Sequence, residues 1–148
     1  MLVAPHFLVG TAIAMSTLEL GPAVLAAITS HFVLDSIPHR DTIGGFHLNK
    51  SNIIMEFFDA IVTFGIFFIL VPPHLWLYAF AVSLVAILPD LIEIVGLVWP
   101  KWYTLPIIKP FHQWHTDTLQ HDDEGMNWFW GLLPQVVIIL AVIWLVKF

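Results

Sequence analysis

Seven ionisable side chains stand inside otherwise apolar stretches of this 148-residue chain: His6, His31, Asp35, Glu56, Asp59, Asp90 and Glu93. Their types are those of nitrogen and oxygen metal ligands and of general acids and bases, because neutral imidazole and carboxylate together suit Zn, Mn and Fe. Their spacing makes pairs. His31 and Asp35 are i,i+4, while Glu56/Asp59 and Asp90/Glu93 are i,i+3, so each pair projects from one helical face. Three helices that each offer two ligands follow the logic of carboxylate-bridged sites in bundles, although the Glu-x-x-His signature of those sites is absent. The second pair continues past Pro38 into His39, Arg40 and Asp41, and a later stretch adds His112, His115 and Asp117, then His121, Asp122, Asp123 and Glu124. Cysteine is absent, which excludes a disulfide framework and any thiolate metal site.

The elements that must position these groups are membrane helices. Only 11% of the chain is charged and 59% is hydrophobic, against about 25% charged in an average soluble domain. The sequence predicts an all-α, polytopic bundle of about five helices forming one integral-membrane domain over residues 1–148. Five apolar segments span about 2–18, 23–37, 53–71, 75–98 and 127–146, divided by Gly21-Pro22, Pro38, Pro72-Pro73 and a long loop at about 101–125. Helices are required because an open strand edge cannot be satisfied in lipid. The first two are short for a span and fit a locally thinned bilayer. No Lys or Arg precedes the first segment, and His6 interrupts it, so the sequence predicts a retained helix and not a cleaved signal peptide. The net charge is −6, and with no basic cluster a nucleic-acid partner is excluded.

With five crossings, the N-terminus, the stretch after Pro38 and the long loop share one side of the bilayer. Arg40, Lys50, Lys101 and Lys109 fall on that side and Lys147 on the other, so the positive-inside rule puts the N-terminus in the cytoplasm. Trp99, Trp102, Tyr103, Trp128 and Trp130 would ring that interface, and Trp76, Tyr78 and Trp144 the opposite one. At 1.5 Å of rise per residue, all seven ionisable groups lie within about 12 Å of the cytoplasmic end of their segments. One shared depth in helices of alternating direction indicates a single polar site.

Energetics then demand a counter-charge. An ionised carboxylate in the membrane costs about 2.5–3.5 kcal/mol, so Glu56, Asp59, Asp90 and Glu93 together cost on the order of 10 kcal/mol. A whole domain is stable by only about 5–15 kcal/mol, and the segments hold no Lys or Arg to pair with them. Either cations bind there or several acids are protonated; the adjacent histidines favour a metal. Each residue also has a plainer use. His6 could bond a neighbouring helix, Asp35 and His39 could end a helix at the interface, Asp90 could sit at a solvated kink made by Pro89, and Glu56 could snorkel from a first turn. Asp122, Asp123 and Glu124 read as a solvated N-terminal cap, His47 and His74 as surface residues, and Gln135 as helix-packing glue.

Pro5-His6-Phe-Leu-Val-Gly10, His31-x-x-x-Asp35 within Ser30-His31-Phe-Val-Leu-Asp35-Ser-Ile-Pro38-His39, and Leu88-Pro89-Asp90 resemble the small bacterial inner-membrane proteins classed as metal-dependent hydrolases of the YdjM type. Those proteins carry an early His-x-x-x-Gly, a Leu-Pro-Asp and a His-x-x-x-Asp; here Leu-Pro-Asp follows the His-x-x-x-Asp helix, where they have it before. The resemblance implies a metal-dependent hydrolase in the inner membrane. On that expectation His6, His31, Asp35, Asp59, Asp90 and His112 hold one or two divalent ions, Zn first and Mn or Fe next. Glu93 or Glu56 acts as general base and His39 or His115 protonates the leaving group. A lipid phosphoester in the bilayer is the expected substrate, and the long loop could fold over the site as a lid. A divalent-cation transporter, a haem carrier and a non-enzymatic membrane interaction subunit are the alternatives, and a thin five-helix bundle is compatible with a homodimer.

Overall fold

The computed structural model describes residues 1–42, 48–120 and 125–148. These residues are all helical in architecture, and no strand occurs among them. Helix α1 spans Val3–Ser16, with Pro5 tolerated in its first turn. Helix α2 spans Leu20–Asp35 and ends ahead of Pro38, which disfavours helical backbone in the residue before it. Helix α3 spans Lys50–Leu70; the Asn49 side chain caps it by accepting a hydrogen bond from the Asn52 N–H at 2.8 Å, and Pro72-Pro73 follow its end.

The fourth apolar segment departs from the expected single helix. It divides into α4 (Trp76–Ala86) and α5 (Leu88–Val98), bent by 62° at Ile87. Pro89 is the physical cause: it has no N–H for the Val85 carbonyl, and its ring crowds the preceding turn. The stretch expected as a long loop also departs, because much of it is helical: a 3-10 turn at Pro100–Thr104, α6 at Ile108–Trp114 and one π turn at His115–Leu119. Edge-on packing of Trp114 (ring centroids 5.0 Å apart) and of His115 (6.1 Å) against Phe32 of α2 holds this segment to the bundle. Helix α7 spans Trp128–Lys147 and is capped by Asn127, which accepts from the Phe129 N–H at 2.8 Å.

Helix α1 is the centre of the bundle, in contact with α2, α3, α4 and α7. Its buried positions are mostly small, and so are those facing it on α4: Gly10, Thr11 and Ala14 meet Ala79, Ser83 and Ala86. A Cβ built at Gly10 would stand 2.8 Å from the Ser83 Cα and 2.9 Å from the Ala86 Cβ, so the two backbones touch. Beside this contact the Thr11 and Ser83 hydroxyls share a 2.9 Å hydrogen bond. Small residues that let backbones meet, with one polar pair, are how helices associate where lipid removes the hydrophobic drive.

Helices α3 and α7 are each long and apolar enough to cross a membrane, and the bent α4–α5 pair passes the same test jointly. Helices α1 and α2, with 14 and 16 residues, are shorter. Phe57, Phe58, Ile61, Phe68 and Ile69 of α3 and Leu140, Trp144 and Leu145 of α7 face outward and exposed, an apolar perimeter of the kind lipid covers.

Replacing Gly10 tests the α1–α4 contact. Alanine at this position gains up to about 1 kcal/mol of helix propensity, but overpacking costs about 1–3 kcal/mol, and the atoms it meets are backbone and a neighbouring Cβ that cannot swing away. Gly10→Ala is therefore expected to lower, and Gly10→Val to lower further, the unfolding midpoint in detergent titrations.

Candidate metal centre

Four side chains from three different elements converge at one end of the bundle. His31 and Asp35 come from the last turn of α2, Asp90 from the first turn of α5, and His115 from the π turn. One ligand atom from each lies within 4.8 Å of all the others. The Asp35 Oδ2 is 3.1 Å from both His31 Nε2 and His115 Nε2, and the two imidazole nitrogens are 3.2 Å apart. The Asp90 Oδ1 lies 3.6 Å from His31 Nε2. In a tetrahedral zinc site with bonds of about 2.0–2.1 Å, neighbouring ligand atoms stand about 3.3–3.4 Å apart. His31, Asp35 and His115 are fully buried or nearly so, whereas the Asp90 side chain is 18% exposed. This group could hold a metal ion.

Outer contacts set the chemistry of each nitrogen. His31 Nδ1 lies 2.8 Å from the Ala86 carbonyl oxygen, which only accepts, so Nδ1 carries the proton and Nε2 presents its lone pair to the centre. The break at Ile87 serves the site directly here, since α4 ends at Ala86, whose carbonyl meets His31. Behind His115, Glu93 presents Oε1 at 3.8 Å from Nδ1 while its Oε2 lies 2.5 Å from His112 Nδ1. The Tyr103 ring stacks on His112 at 4.0 Å, and its hydroxyl donates to the Glu93 carbonyl at 2.8 Å. Burial works against the His115 imidazolium, but its contacts with Asp35 and Glu93 outweigh that and raise its pKa to about 9.

The remaining expected ligands have other positions. His6 is buried and stacks on His31 with ring centroids 4.2 Å apart; its Nε2 is 3.0 Å from the other Asp35 oxygen, Oδ1. Asp59 lies apart from the four: its Oδ2 accepts from the Ala4 N–H at 2.9 Å and so caps α1 from α3. His112, expected as a ligand, is instead held by Glu93, and His115, expected as the acid for the leaving group, stands among the four. Glu93, expected as a base, is 2% exposed and turned toward the two histidines. Glu56 is exposed and lines a cavity of about 270 Å³ together with Asp90, Asp41 and a mostly apolar wall that includes Val3, Leu48, Ile53, Ile94 and Leu97. His39 is fully buried beside Asp41. Burial opposes ionisation of Asp41, but the nearby ammonium of residue 1 and His39 together outweigh it and hold the carboxyl well below its usual range. Gln135 joins helices as expected: it accepts from the Leu2 N–H at 3.0 Å and donates to the Arg40 carbonyl at 3.0 Å. His74 is exposed, and His47 and residues 121–124 lie outside the described residues.

The sequence marks Asp41 only as a continuation of the His31/Asp35 pattern and Tyr103 only as an interface aromatic, and it assigns no part to the Ala86 carbonyl. The His39-x-Asp41 spacing is a signal for the first, and Pro89, which breaks the helix beside Ala86, is one for the last. Comparison with family models, curated proteins and solved structures finds no match to this chain.

Metal binding should be proton-linked, because an ion must displace the His115 proton. With that pKa raised to about 9, His115 carries a proton at pH 7 and gives it up on binding. Calorimetric zinc titrations in buffers of different ionisation heat should show this release. Affinity should rise with pH, by about tenfold per unit for each proton displaced, until pH passes the His115 value.

Proposed function

We propose that this chain is an integral membrane protein and a metal-dependent hydrolase, with its site at the cytoplasmic end of the bundle and a lipid phosphoester as substrate. The observation that carries the reading is the arrangement of the four ligands against the cavity. Three of them form a tight, buried triangle, and the fourth, Asp90, is both the most exposed and a wall of the cavity. A centre closed on one side by protein and open on the other is the form of a catalytic metal site, as opposed to a structural one. The cavity wall is largely apolar while its acidic floor is formed by Asp41, Glu56 and Asp90. Such a floor repels a phosphate unless a cation neutralises it, and such a wall suits an acyl chain.

A bound divalent ion supplies a water of lowered pKa and polarises a phosphoryl oxygen. Glu56, on the cavity wall, is the base in reach of that space and takes the proton of the attacking water. The water oxygen would then bond to phosphorus as the ester P–O bond breaks, and the proton taken by Glu56 would pass to the leaving alkoxide oxygen. Glu93 acts one step back, by holding His115 and His112. The hydrolase class agrees with the YdjM-type resemblance carried by His6, Gly10, His31, Asp35, Pro89 and Asp90. Zinc heads the candidate ions because its geometry and its nitrogen and oxygen ligands match the group.

In this reading the five apolar segments lie within the bilayer of a bacterial inner membrane, with the short α1 at the centre. Arg40, Lys50, Lys101 and Lys109 mark the cytoplasmic side. The absence of cysteine makes this testable in cells. In separate single-cysteine variants, Lys101→Cys should resist and His74→Cys should accept a membrane-impermeant thiol reagent added to intact cells or spheroplasts; the reverse pattern inverts the topology.

Activity is tested on detergent-solubilised protein with lipid phosphomonoesters, phosphodiesters and pyrophosphates. Metal-loaded protein should release phosphate or headgroup. Glu56→Gln should lower kcat by about 10²- to 10⁴-fold with metal content unchanged, whereas Asp90→Asn should lose metal and activity together. Undiminished hydrolysis by Asp90→Asn would sink the reading.

A further inference from the structure

The cavity beside Asp90 is acidic at one end and apolar at the other. Along α5 its lining residues are Asp90, Ile94 and Leu97, spaced i, i+4 and i+7 on one helical face with the acid first. Along α3 the same order holds: Glu56 lies about one turn farther into the helix than Ile53, and Leu48 precedes the helix altogether. Seven residues at 1.5 Å of rise put Leu97 about 10 Å from the Asp90 end. Among the described residues no Lys, Arg or His lines the cavity, so an anion is held at its acidic end only through an ion on Asp90.

The apolar end opens sideways. Ile53 and Ile94 are cavity wall and yet 56% and 41% exposed, and Val98, next to Leu97, is 72% exposed. In the membrane reading that exposure is to lipid chains. Because α5 is bent by 62° from α4, its Asp90–Leu97 face leads obliquely away from α4 toward this perimeter. Volume sets the number of chains. About 270 Å³ is just below the roughly 300–1,000 Å³ of pockets that enclose drug-sized ligands, enough for a small head with one chain segment.

We propose that the cavity selects a phosphate ester of a single apolar chain, with the phosphate at the Asp90 and Glu56 end against the ion and the chain lying along Ile94 and Leu97 toward the lipid. The inference rests on the metal-hydrolase reading and specifies the substrate of that same site. Lodging the chain fixes where the phosphorus stands, so the apolar wall orients the reacting group before any bond changes. An open apolar rim also admits such a molecule directly from the bilayer, with its chain never exposed to water.

Binding is tested with non-hydrolysable phosphonates on the full chain in nanodiscs, loaded with Mn²⁺ and, as the diamagnetic control, with Zn²⁺. The probes are methylphosphonate, decylphosphonate and the phosphonate analogue of dioctanoyl phosphatidate, which carries two chains. Paramagnetic broadening falls steeply with distance, so decylphosphonate should show a strongly broadened phosphorus resonance and a sharp terminal methyl. It should bind about tenfold more tightly than either other probe, a difference that burying two methylenes supplies. Leu97→Trp, which fills the apolar end, should erase its preference over methylphosphonate. Equal broadening of phosphorus and methyl, or equal binding of the two-chain probe, overturns the single-chain cavity and leaves the metal centre standing. Protein that takes up neither Mn²⁺ nor Zn²⁺ by elemental analysis overturns the metal reading and this inference with it.

Discussion

Asp35 is a carboxylate removed from water at the buried end of α2, and its charge must be answered there. Both of its oxygens are engaged: one by His31 and His115, the other by His6 and the ammonium of residue 1. These partners come from α1, α2 and the π turn, and Asp90 joins them from α5. Helix α1 and the π turn thus each bring a compensating group to this one anion, while Asp90 sets a second carboxylate beside it. Removing any partner leaves buried charge without its complement, which is more costly than the pair is stabilising.

Packing makes that convergence possible. Helix α1 can occupy the centre only because Gly10 and its small neighbours let α4 approach to backbone contact. On the opposite flank, a Cβ at Gly131 would stand 2.4 Å from the Arg40 Cβ, and the Arg40 N–H donates to the Gly131 carbonyl at 3.2 Å. The Arg40 guanidinium donates to the Met126 carbonyl at 2.7 Å and lies over the Trp128 ring. The segment that carries His39 and Asp41 is thereby fastened to α7, at a distance in sequence that no local propensity encodes.

The sequence shows the all-helical class and the apolar segments because hydropathy and proline positions act locally. The shared depth of His6, His31, Asp35, Asp90 and Glu93 was legible for the same reason, since rise per residue converts directly to height. Rotation about each helix axis was not legible. Glu56/Asp59 and Asp90/Glu93 read as equivalent i,i+3 pairs, yet Asp59 turns to cap α1 while Asp90 turns to the centre, and only tertiary packing separates them. From the sequence the histidines of the 108–119 segment are assigned the other way round, His112 to the metal and His115 to the leaving group. Their division, with His115 inward and His112 against Tyr103, follows from aromatic packing on Phe32 that leaves no periodic trace. The bend at Ile87 was visible as Pro89 but not its size, because a proline permits a break and its neighbours set the angle.

That bend also gives the centre two opposite electrostatic poles without any added charged residue. Helix α4 ends there, so its last carbonyls, the negative end of its dipole, point to the N–H of His31. Helix α5 begins there with Asp90 in its first turn, where the positive end of a dipole stabilises an anion by about 0.3–1 kcal/mol. One interrupted rod thus presents an acceptor end to an imidazole and a donor end to a carboxylate within the same few residues. An unbroken helix would have spent those backbone groups on itself.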